Sequence, residues 1–67
     1  MTHTAIDMMF STKRDALAFA SKQTVKCYVS RTDNYGVVKY WVEDVDVWKS
    51  NKANGCTDTP FHTHEPK

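Results

Sequence analysis

The chain reads as a small α+β domain in the order strand, helix, strand, strand, and three observations carry that reading. Residues 25 to 47, VKCYVSRTDNYGVVKYWVEDVDV, hold most of the β-branched and aromatic residues in an alternating pattern. Residues 12 to 23, TKRDALAFASKQ, form the one good amphipathic helix candidate. After Trp48 the apolar content falls away, and Ala53, Cys56 and Phe61 are the only hydrophobic residues left. At 67 residues the chain makes one domain at most, and a domain of that size buries only about 60% of the surface its unfolded form exposes.

The first strand is expected in AIDMMF, where Ile6, Met8 and Phe10 alternate with Ala5, Asp7 and Met9. Thr12, with Asp15 three residues later, then resembles a capping box and starts the helix. Ala16, Leu17, Phe19 and Ala20 share one helical arc, while Lys13, Arg14, Lys22 and Gln23 mostly lie outside it, so the helix can cover a sheet.

The two remaining strands form a hairpin. Successive side chains of a strand point to opposite faces, so Val25, Cys27 and Val29 share a face with Val38, Tyr40 and Val42. A loop of Thr32 to Tyr35 would set Val29 opposite Val38 and Val25 opposite Val42. A slip by one residue would bury Lys39 and Trp41 in place of that apolar row, so the pattern selects the parity. Past Val42 the alternation changes phase at Val45 and Val47, as a bulge or the end of the strand near Glu43 and Asp44 would produce.

These elements predict a three-stranded sheet in the order 1-3-2 with the helix across one face. The compact domain spans residues 1–48, and residues 49–67 form a polar, flexible tail. The sheet face away from the helix then has nothing in the compact domain to cover it. It carries Tyr28, Trp41, Lys39, Lys26 and Val37, with Ser30 and Glu43 toward its end. An open patch of that kind on a small protein is expected to meet the tail, a second copy of the chain or a partner.

Composition narrows the function classes. Hydrophobic residues make up 40% and charged residues 25% of a chain with net charge +1, ordinary values for a soluble globular protein. Near-neutrality argues against non-specific nucleic-acid binding, which rests on neutralising phosphates. No apolar run approaches a membrane span, and the N-terminus lacks a signal-peptide layout, so the expectation is a cytoplasmic protein with no membrane partner. Two cysteines are too few for a disulfide scaffold.

Chemistry is thinly represented. Cys56, His62 and His64, with Cys27 or His3 as a distant fourth, are ligand types that suit zinc, but their spacing matches no established zinc pattern. Glu43, Asp44 and Asp46 cluster without anything that fixes an acid and base pair, and both glycines are isolated, so no phosphate loop is present. The expectation is no enzyme, no metal and no cofactor. Tyr28 and Trp41 flanked by Lys26 and Lys39 would stack single-stranded bases, but the acidic run beside them repels a phosphate backbone. Protein binding uses the same aromatic residues and tolerates mixed charge. A tiny strand-helix-strand-strand domain with a polar tail and no active site resembles small bacteriophage proteins that bind and inhibit host enzymes. That resemblance implies a binding module that modulates or inhibits a partner protein.

Overall fold

The computed structural model describes residues 5–55 and 59–66. The elements are β1 (Asp7–Phe10), α1 (Lys13–Ser21), β2 (Cys27–Asn34), β3 (Val37–Asp44), α2 (Val45–Ala53) and β4 (Pro60–His64). The strands form one antiparallel sheet in the order β1-β3-β2-β4. β3 therefore lies between β1 and β2, but the expected three-stranded sheet with one helix is short by one strand and one helix. Both additions draw on the polar C-terminal stretch: α2 starts at the phase change after Val42, and β4 pairs with the free side of β2.

Helix α1 begins where its cap is. The Thr12 hydroxyl accepts the Asp15 N–H at 3.2 Å and satisfies one of the unpaired donors of the first turn. At the other end the Gln23 amide donates to the Phe19 carbonyl at 2.9 Å. Ala16 and Ala20 are fully buried, and their small side chains let the helix axis approach the sheet. Under them lie Cys27, Val29 and Val42, with Phe10, Leu17, Phe19, Val25 and Tyr40 packed around. Each fully buried valine stabilises the fold by roughly 1.5 kcal/mol or more.

The parity expected for the hairpin holds, and the register does not. Val29 faces Val42 and Asn34 faces Val37, a shift of four residues from the expected pairing. The connection is a two-residue turn of Tyr35 and Gly36, both at positive φ (53° and 81°), the turn form whose twist matches that of the flanking strands. The Asp33 carboxylate accepts the Gly36 N–H at 3.2 Å. A shift by an even number keeps every side chain on its face, so the alternation could not distinguish the longer loop from the tighter one.

Asp44 joins the last strand to the second helix. Its side chain accepts the Val47 N–H at 2.8 Å as the N-cap of α2, and also the Ile6 N–H at 2.9 Å. Its own N–H donates to the Ile6 carbonyl at 3.1 Å. One buried carboxylate thus turns the chain into α2 and ties down the lead-in to β1. Gly55, at φ 96°, donates to the Lys52 carbonyl and closes the helix in the left-handed conformation that glycine accepts most readily.

Candidate functional site

The sheet has two faces with different covers. One packs on α1 and holds the core. The other carries the odd-numbered residues of β1 and β3 and the even-numbered residues of β2, which sets Asp7, Glu43, Tyr28 and Thr63 in one row across the sheet and Met9, Trp41 and Ser30 in the next. Lys39 with Thr32, and Val37 with Asn34, complete it toward the hairpin tip.

Helix α2 folds back over one end of this second face. The Trp48 ring packs on Tyr28 with centroids 4.9 Å apart and a tilt of 47°. Lys52 Nζ lies 4.8 Å from the Trp48 ring and Lys26 Nζ 5.6 Å from the Tyr28 ring, so two cations bracket an aromatic pair. Lys26 also pairs with Glu65 at 3.3 Å, and that hydrogen-bonded carboxylate raises the ammonium pKa, with Tyr28 adding to the effect. The Asn51 amide donates to the Glu43 carboxylate. Tyr28, Glu43 and Lys26 are therefore engaged by the chain itself, and the expectation of a wholly uncovered face is corrected at this end. The cause is the helical turn after Asp44, which brings Trp48 and Asn51, three residues apart, onto the sheet.

The other end of the face stays open. Trp41 is half-buried, and its indole N–H donates to the Thr32 hydroxyl at 3.0 Å, which fixes the ring against the sheet. Met9 beside it on β1 is 47% exposed and Val37 is 54% exposed. Lys39, half-buried, supplies a cation between them. Across from Trp41, Ser30 is buried with its hydroxyl lacking a hydrogen bond, the one such side-chain atom among the described residues. Of the six residues that the sequence singled out, the structure leaves Trp41, Lys39 and Val37 together at the open end. Met9 is the member that alternation did not place there, because the first strand carried no register against the third.

The histidines lie elsewhere. β4 sets His62 and His64 on the α1 side, facing Val29 and Cys27, and the His64 ring is 2.9 Å from the Gln23 carbonyl. Cys56 and His3 lie outside the described residues. No cluster of three metal-ligating residues occurs among the described ones. Burial pushes the Cys27 thiol above its usual pKa, and the Asp44 charge adds to the shift, so the thiol is held protonated and its sulfur donates to the Val25 carbonyl.

The open end of the face thus holds an indole fixed by a hydrogen bond, the exposed apolar side chains of Met9 and Val37, and the Lys39 cation. No family model, curated protein or solved structure matches the chain. No helix among the described residues is long and apolar enough to cross a membrane.

Proposed function

We propose that the chain is a protein-binding module that modulates or inhibits a partner protein through the open half of the second sheet face, with Trp41 at its centre. The observation that supports this reading is the contrast within that face: the chain covers Tyr28 with its own helix and leaves Trp41 beside the exposed Met9, with Lys39 and the exposed Val37 continuing the same face toward the hairpin tip. An indole held by a hydrogen bond loses little side-chain freedom on docking, which suits it to anchor an interface, and Met9 adapts to the partner's contour. Lys39 at the margin favours a partner surface with an acidic group beside an apolar depression.

The test places a photo-crosslinking amino acid at the exposed Val37 and a control at Lys22, the exposed C-cap residue of α1. Irradiation in lysate of the cells that make the protein is expected to join one protein to position 37 and none to position 22, and Trp41→Ala is expected to abolish the product. Equal labelling at both positions contradicts the assignment. A single-stranded nucleic-acid ligand on the same indole is the second reading, favoured by Lys39 beside Trp41. It predicts oligonucleotide affinity that falls steeply with salt and is lost with Trp41→Ala.

A further inference from the structure

The two edges of the sheet are built differently. In an antiparallel pair, alternate residues bond to the neighbour and the rest point their peptide groups away. The Asp44 N–H reaches the Ile6 carbonyl, which makes Ile6 and Asp44 a bonded pair, so Met8 and Phe10 also bond to β3. Asp7 and Met9 are left with N–H and carbonyl groups aimed outward from β1. The same alternation carried across the sheet makes the odd residues of β2 bond to β4 and leaves Thr63 pointing outward there. Beyond Thr63, however, β4 is interrupted by a bulge at Phe61 and by Pro60, which has no N–H, and both features block strand addition. β1 has neither device and no lysine, and it exposes Met8 at 45% and Met9 at 47%.

From this asymmetry we infer that β1 is a self-association edge, occupied by β1 of a second copy of the chain. Antiparallel pairing about a twofold axis perpendicular to the sheet keeps each face continuous and sets residues of like parity opposite one another. Centring the axis on Met9 places Met9 opposite Met9 of the second copy, Met8 opposite its Phe10 and Asp7 opposite its Ser11, so the central pairs are apolar, sulfur meets an aromatic ring and the charge stays at the ends of the pairing. Each Met9 N–H then donates to the Met9 carbonyl of the other copy. Centring on Met8 would set Asp7 against Met9, a charge against an apolar side chain. The interface closes on itself, because the β1 edge is used up and the β4 edge is blocked. A four-residue strand buries far less than a standard interface, so the dissociation constant is on the order of 100 µM. The pairing does not depend on the partner reading, but it would place two Trp41 rings on one eight-stranded face.

Sedimentation equilibrium from about 10 µM to about 1 mM tests it. The mass is expected to rise from 7.7 kDa toward twice that value and level off. Met9→Lys, which opposes two charges on the axis, and Met9→Pro, which deletes the outward N–H without touching the β3 ladder, are expected to stay monomeric with unchanged circular dichroism. In a Cys56→Ser background, Met9→Cys is expected to form an interchain disulfide under mild oxidation and Met8→Cys is not, since only the bonded pair on the axis brings Cα atoms to about 5.5 Å. The disulfide test stands even if Met9→Lys or Met9→Pro fails to fold. A wild-type mass fixed at the monomer, a mass that grows past the dimer without a plateau, or equal crosslinking at both cysteines would overturn the inference.

Discussion

The two ends of the second sheet face carry similar side chains and meet different fates. Tyr28 sits at one end under Trp48, bracketed by two lysines. Trp41 begins the other, in the row next to Tyr28 and two residues before Glu43 on β3, with the half-exposed Met9 opposite it and Lys39 and the half-exposed Val37 beyond it toward the hairpin tip. What separates them is Asp44, whose carboxylate starts α2 and so decides how far the helix reaches over the sheet. The lesson is that a small domain can seal an aromatic residue with one capping side chain and leave its counterpart for another molecule.

The comparison breaks most readily at Asp44. Asp44→Ala removes an acceptor for two backbone N–H groups, at Ile6 and Val47, and is expected to lower unfolding free energy by about 2–4 kcal/mol in urea titrations. Since a domain this small has only about 5 kcal/mol to lose, partial unfolding at 37 °C is expected. Trp48→Ala strips the cover from Tyr28 alone, with an expected loss of about 2 kcal/mol and a Tyr28 ring that becomes open to solvent.

Trp41→Ala sharpens the comparison from the other side. It removes one hydrogen bond and a half-buried ring, so about 1 kcal/mol of stability is expected to go while partner binding is abolished. The smallest effect is at the hairpin tip. Tyr35 is fully exposed at φ 53°, a region where Asn is several-fold favoured over most residues, and Tyr35→Asn is expected to add roughly 0.5 kcal/mol without altering the sheet.

The pH dependence belongs to the covered side. The Cys27 thiol and the Lys26 ammonium both have raised pKa values in the fold. A raised folded value gives a contribution that is complete below the unfolded pKa and is lost as the pH climbs through the folded one. Stability is therefore expected to hold up to the ordinary thiol value of 9.0 and to decline above it, first through Cys27 and then, past 10.5, through Lys26. Thermal melts of the wild type and Cys27→Ala between pH 8 and pH 10 check this, since the variant loses the first part of the decline.

Which parts of this were legible in the sequence follows from what alternation can and cannot encode. Parity in β2 and β3 placed Val29 and Val42 inward and Trp41 outward, and Thr12 with Asp15 marked the start of α1. The offset between β2 and β3 was not encoded, because any even shift serves the same faces. Helix α2 was hidden because the switch from period two to helical spacing rests on Val45 and Trp48 alone, in a stretch rich in Asn and Lys. β4 was hidden because PFHTH is joined to β2 by backbone pairing, with Phe61 meeting the Tyr40 ring edge-on at 6.2 Å as its ring contact with the core. Missing α2 made the open surface look larger than it is, by the end that holds Tyr28 and Glu43. Met9 was missed for the related reason that β1 is only four residues long.

The most direct test of this division is a nuclear Overhauser spectrum of the protein with its two indoles assigned. The account predicts ring-to-ring cross-peaks between Trp48 and Tyr28 and contacts from Trp41 to Thr32 and Met9. Cross-peaks linking Tyr28 to Trp41 in place of Trp48, or a Trp48 ring with the shifts of a free indole, would contradict it.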